Sequence, residues 1–303
     1  MDEVVRDLVV NLSRDKVAAQ DAALKLSRLG KRSIPVLADL LKSSLIIEKE
    51  EKDEKNPTPK TAAQKGNPHL AYYTALALSR IKLADAAKQL LPALESPKVD
   101  PNLRQLAIEA LGLEFVPEAG AVLQKIAATD ADIELRRKAY GQLTIMPNFW
   151  ASSEKLFVDA LSDPDDEIRA LAAKQCMFTR IYLSGTEKLI DLAEKDPQPT
   201  VRANAMLALS RMRATRAVPM LVRVCSDAQA SAATHTAALR TLNLITGMGL
   251  KDSAAVEKWW KNFGEKEYTK PAPPQLTPAD APAQPKISPP APSSTEPKEK
   301  QQP

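Results

Sequence analysis

One interval limits what this chain can fold into. The stretch VRANAMLALSRM, Val201 to Met212, recurs in altered form along most of the sequence. With Leu209 as reference, the matching positions are Leu26, Leu78, Leu111, Leu143, Cys176, Leu209 and Leu242, separated by 52, 33, 32, 33, 33 and 33 residues. Self-similarity at a fixed period of this size marks an array of stacked units, because a single unit cannot bury its own apolar face. Four residues before each reference stand Ala22, Thr74, Ala107, Ala139, Ala172, Ala205 and Ala238, and eight before stand Ala18, Leu70, Leu103, Leu135, Ile168, Val201 and Thr234. Steps of four return to the same helix face, so each unit opens with a helix carrying a small residue between larger apolar ones. A small residue there lets the next unit approach closely.

Composition fits helix packed on helix. There are 9 Gly in 303 residues, aromatics are 4%, and Ala and Leu abound. Lys plus Arg is 42 against 38 for Asp plus Glu, a net charge of +4, well short of a dedicated nucleic-acid binder. Cys176 and Cys225 are too few for a disulfide framework, and Cys176 stands at a core position. No stretch reaches the roughly 18 apolar residues of a membrane span. The start, MDEVVRDLVV, lacks the basic-then-apolar order of a signal peptide, so a cytoplasmic chain is expected.

In chain order, Asp2–Leu12 is expected to cap the array, with Val5, Leu8, Val9 and Leu12 on one face. The first full unit runs from Lys16 to Ser43, with Pro35 in the first turn of its second helix. The long interval that follows holds an insertion at about 48–67, first charged (EKEEKDEK, able to extend a helix), then a polar loop broken by Pro57, Pro59 and Pro68. Later second helices are expected in DAAKQLLPAL, EAGAVLQKIA, SEKLFVDAL, TEKLIDLA and AVPMLVRVC, and a last helix, capped by Asp252 or Ser253, holds Trp259, Trp260 and Phe263. One of the adjacent tryptophans should seal the array and the other lie at the surface. Eleven of the 33 residues from Pro271 to Pro303 are proline, so 269–303 is read as a disordered polyproline-rich tail after a helical body at 1–268. Its P-x-x-P spacings (Pro271–Pro274, Pro282–Pro285, Pro289–Pro292) fit a tether better than a ligand.

Two helices per unit, a small residue mid-helix and an Arg seven residues before the reference make the segment from about Lys16 to Phe263 resemble HEAT-type repeats, especially the short bacterial variety also found in phycobilin-lyase subunits. The resemblance implies an all-α fold, a right-handed α-α superhelix of about seven helical pairs. It also implies a structural ladder: Arg104, Arg136, Arg169 and Arg202 would pair with acidic residues in adjoining turns, with Asp100, Asp132, Asp165 and Asp196 as candidates. Ala19, Ala71 and His235 depart from the pattern and should interrupt the ladder at both ends. Such stacked pairs fix register more than they stabilise, which favours them over a phosphate-binding stripe. The closing stretch TLNLITGMGLKDSAAVEKWWKNF is similar to the last repeat of many bacterial members.

A second basic set occupies the turn between the two helices of a repeat: Arg28, Lys31 and Arg32, then Arg80 and Lys82, then Arg211, Arg213 and Arg216. Helix dipoles account for some of these cations. Repeats three and four lack them, with Glu114 and Pro147 nearby, so the edge is read as discontinuous. The basic turns hold no stacking aromatics of the kind single-strand binders use.

Signals for catalysis are weak. His69 and His235 alone cannot build the multi-histidine metal centre of the HEAT-like deoxyhypusine hydroxylases. Cys225 lies in an apolar run, which argues against a dyad with His235. Ser152-Ser153-Glu154-Lys155 matches S-x-x-K without its companion motifs and is expected to cap a helix, and Gly247-Met248-Gly249 lacks the context of a phosphate loop. The reading is therefore a non-enzymatic scaffold without cofactor that binds a protein or peptide along the face of the second helices, where Lys125, Lys155 and Lys188 are expected to be exposed. The alternatives are a subunit resembling the phycobilin lyases, and a weak nucleic-acid binder using the basic edge.

Overall fold

The computed structural model describes residues 3–45, 67–178 and 185–269. The chain divides into two units, Met1–Tyr268 and Thr269–Pro303. The proline-rich tail beyond Thr269 and the insertion up to residue 66 lie outside the described residues.

Among the described residues there is no strand. The helices are α1 (Glu3–Leu12), α2 (Lys16–Arg28), α3 (Ile34–Ser44), α4 (Pro68–Arg80), α5 (Ala84–Lys88), α6 (Pro101–Leu113), α7 (Ala119–Thr129), α8 (Ile133–Ile145), α9 (Glu154–Ala160), α10 (Asp166–Gln175), α11 (Thr186–Lys195), α12 (Pro199–Arg211), α13 (Val218–Ser226), α14 (Ala232–Thr246), α15 (Ser253–Trp259) and α16 (Glu265–Tyr268). The even-numbered helices α2 to α14 are the first helices of seven repeats, and each packs on the next to form one layer. Second helices α3, α7, α9, α11 and α13 each pack on the first helix of the following repeat. None of these helices is long and apolar enough to cross a membrane.

The periodic positions account for this stacking. All seven reference residues are fully buried, and Ala107, Ala139, Ala172, Ala205 and Ala238 are too. Thr74 also fits, because its hydroxyl donates to the Leu70 carbonyl at 2.7 Å. The position eight before is buried from Leu103 to Val201 but only half-buried at Ala18, Leu70 and Thr234, toward the ends of the array.

Helix starts follow the capping residues. Asp15, Asn67, Asp100, Asp132, Asp165, Ser231 and Asp252 each accept a backbone N–H of the first turn. Ser153 does not cap α9; it and Ser152 accept hydrogen bonds from Gln124 of the preceding repeat. The second helix of repeat two is shorter than its sequence promised: α5 ends at Lys88 and a 3₁₀ turn, Leu91–Leu94, continues it past Pro92, which cannot donate to a helical bond. At the far end α15 runs into a π-helical turn, Trp260–Gly264. Trp259 is buried, Trp260 is half-buried, and Gly264 leaves room for both rings: a Cβ there would come within 3.0 Å of each.

Candidate interaction edge

The ladder differs from its expected pairing in an instructive way. Each turn that leads into α8, α10, α12 or α14 contains an aspartate whose carboxylate accepts the N–H two residues on: Asp130 from Asp132, Asp163 from Asp165, Asp196 from Gln198 and Asp227 from Gln229. Arg136, Arg169 and Arg202 donate to the carbonyl oxygen of this residue in their own repeat, at 3.1, 2.9 and 2.7 Å. His235 keeps the same bond, Nε2 to Asp227 O at 2.6 Å, so the ladder continues through the residue expected to break it. Arg104 reaches forward to the carboxylate of Asp130 in the next repeat, and Arg169 reaches forward to that of Asp196 in addition to its bond within its own repeat.

Asp100 and Asp132 are therefore helix caps rather than partners of the ladder arginines. Asp165 caps α10 and pairs across the boundary with Arg137, a residue the repeat pattern did not single out. Burial pushes the Asp130 carboxyl up, but hydrogen bonds from Arg104 and the Asp132 N–H outweigh it and leave the group below the usual carboxylate range. Arg137 lowers Asp165 in the same way.

The basic turn residues lie where each first helix hands over to its second. Two slots recur. Two residues after the reference stand Arg28, Arg80, Leu113, Ile145, Phe178, Arg211 and Leu244; four after stand Gly30, Lys82, Phe115, Pro147, Arg180, Arg213 and Thr246, and of these Gly30, Lys82, Phe115 and Arg213 are left-handed, with φ of 58°, 58°, 52° and 50°. In repeats three and six the turn closes by paired bonds: Val116 N–H to Leu111 O with Phe115 N–H to Gly112 O, and Ala214 N–H to Leu209 O with Arg213 N–H to Ser210 O. The first helices stack in order, so equivalent slots form a row along one edge.

Arg28, Lys31, Arg32, Arg80, Lys82, Arg211, Arg213 and Arg216 are all exposed. Among the described residues only Arg216 of this set is ion-paired, to Glu187 at 3.0 Å. Repeats three to five do not leave the row blank. Leu113, Phe115, Ile145 and Phe178 are 55%, 51%, 42% and 55% exposed. Trp150 stacks on Phe178 with ring centroids 5.5 Å apart and is held by its indole N–H donating to Thr144 O. Aromatics are thus present on this edge, between the basic turns rather than within them. Phe115 and Phe178 occupy the same slots as Lys82 and Arg80, a signal that repeat alignment alone could have exposed. Glu114 sits half-buried among them.

The second-helix lysines fare less well as a binding face. Lys155 pairs with Asp159, and Lys188 donates to Val158 O of the preceding repeat, while the Lys125 ammonium has no partner among the described residues. Among the described residues no group of three or more His, Cys, Asp or Glu side chains is placed to hold a metal. Cys225 and His235 do line one cavity of about 190 Å³ with Asp252 and Ser253. Burial pushes the Cys225 thiol up to about 11 and that of Cys176 up to about 12, so neither is a thiolate near neutrality.

A family model for HEAT repeats matches residues 57–144 and 153–243. The chain belongs to the HEAT-repeat family. No curated protein matches it in sequence. Among solved structures, this HEAT-repeat chain is similar to YibA of Escherichia coli, at 15% identity over 88% of this chain and 89% of that one, with a TM-score of 0.55. It also aligns with the complex of CpcE and CpcF of phycocyanin lyase from Nostoc sp. PCC7120 (17% identity, 86% and 95% coverage, TM-score 0.40). A further alignment is with human deoxyhypusine hydroxylase in complex with glycerol (16% identity, 87% and 92% coverage, TM-score 0.36). The likeness to YibA is one of fold, and the two enzymes superpose too loosely to bear on activity.

Proposed function

We propose that this HEAT-repeat protein is a non-enzymatic scaffold that binds a protein partner along the turn edge of its first helices. The observation that carries the reading is the set of exposed apolar side chains, Leu113, Phe115, Ile145 and Phe178, at the helix ends of three consecutive repeats. Apolar patches rimmed by polar residues mark interaction sites on proteins that have otherwise buried their apolar surface. The flanking cations have no partner within the described chain, apart from Arg216, and so are free for one outside it. Solenoids offer such extended surfaces because each repeat contributes the same positions in turn.

The buried thiols speak against cysteine chemistry, and the second-helix face presents mostly engaged lysines. Affinity capture with the tagged full chain from its native cell extract, with and without nuclease, tests the proposal. A stoichiometric protein retained after nuclease is the expected result. Retention of nucleic acid alone, lost on nuclease treatment, would replace the protein partner with a nucleic-acid one.

A further inference from the structure

The two recurring slots show a charge pattern that specifies the partner more narrowly. Repeats one and two carry Arg28, Lys31, Arg32, Arg80 and Lys82; repeat six carries Arg211, Arg213 and Arg216; between them the same slots carry Leu113 and Phe115 in repeat three, Ile145 and Pro147 in repeat four, and Phe178 followed by Arg180 in repeat five. Resting on the scaffold reading above, we infer that this edge docks an extended, acidic protein segment with aliphatic or aromatic side chains at its middle. Acidic residues at both ends of the segment would meet the two basic clusters, and the apolar middle would cover the side chains of repeats three to five.

Helix dipoles do not set this pattern. Every first helix ends in the same partial negative charge, yet only some carry a cation there. The left-handed slot is more telling. Gly30 holds it without strain, whereas Lys82, Phe115 and Arg213 hold it at a conformational cost that glycine would avoid. Side chains kept at such a cost are those whose exposed ends matter. In the middle of the edge, the turns 113–117 and 145–149 contain no Lys or Arg, so a phosphate ribbon laid along the row would cross two repeats without a counter-charge. That favours an acidic peptide over nucleic acid. Stacked helices lie roughly 8–10 Å apart, so repeats one to six span on the order of 40–50 Å, about 12–15 residues of extended chain.

Selection of a displayed library of random 15-residue peptides on the full-length protein tests this, followed by anisotropy titration of the enriched sequences. Enriched peptides should carry Asp or Glu at both ends and aliphatic or aromatic residues between. They should bind Phe115→Gly and the double variant Lys82→Gly/Arg213→Gly at least about tenfold more weakly. Glycine suits the left-handed slot, so the melting temperature of these variants should stay level or rise, which separates lost binding from lost folding. Peptides without acidic ends, or with affinities unchanged in both variants, would overturn the inference and leave a peptide-binding scaffold standing. No enrichment, together with an empty capture from extract, would overturn both. An oligo-dT strand that binds more tightly than any peptide and is lost in the double variant would give the edge to nucleic acid.

Discussion

Arg104 of the third repeat is buried against Asp130 in the turn leading to the fourth, with 6% and 11% of the two side chains exposed. The pair ties a first helix to the turn that positions its successor, and Asp130 also accepts the Asp132 N–H at 3.0 Å. One carboxylate thus holds both the turn and the repeat boundary.

Removing the cation alone should leave that carboxylate buried without its partner. Arg104→Met is expected to cost about 3 kcal/mol, and Arg104→Met/Asp130→Asn to recover most of it. Urea unfolding of the two single variants and the double gives the coupling; equal losses in Arg104→Met and the double variant would show that the pair does not act as a unit.

Acid should loosen the same boundaries. The Asp130 and Asp165 carboxyls lie below the ordinary aspartate range in the folded chain. A carboxyl depressed by folding adds stability that is complete above its unfolded value, about 3.9, and is lost as pH falls through the folded one. The melting temperature of the wild type should therefore drop below about pH 4 more steeply than that of Asp130→Asn/Asp165→Asn. Parallel acid curves would contradict this.

The small residue of each first helix should resist enlargement. Ala172 and Ala205 are fully buried where consecutive first helices meet. Leucine at either is expected to cost about 1–3 kcal/mol by overpacking, read from thermal or urea melts. A variant as stable as the wild type would mean that the helices meet along another face.

The left-handed turns offer the opposite sign. Lys82→Gly and Arg213→Gly should each raise stability by about 1 kcal/mol, since glycine adopts positive φ without strain. Urea midpoints that fall instead would show that these side chains contribute packing their exposure does not reveal.

Periodic burial was legible in the sequence because it depends on spacing alone: every reference residue, from Leu26 to Leu242, lies in the core. Ladder chemistry was less so. Asp130 and Asp132 are two residues apart and chemically alike, and only the turn decides which one caps α8 and which accepts Arg104. For the same reason Arg137, one residue beyond the ladder position, takes the bond to Asp165. The apolar middle of the edge is not marked by charge, the feature that makes the basic turns visible in sequence. Phe115 and Phe178 stand in the slots of Lys82 and Arg80, but their exposure depends on how the helix ends emerge from the stack. His235 looks like a gap in sequence because a lost guanidinium is visible there, while a retained bond to a backbone carbonyl is not.

The most direct test is a hydrogen-exchange footprint of the full chain with the protein it captures from extract. Binding along the turn edge should slow exchange at the ends of α6, α8 and α12 and in the turns that follow them, around 111–117, 143–150 and 209–216, and leave the exposed faces of α7, α9 and α11 unchanged. Protection confined to those second helices would contradict the account.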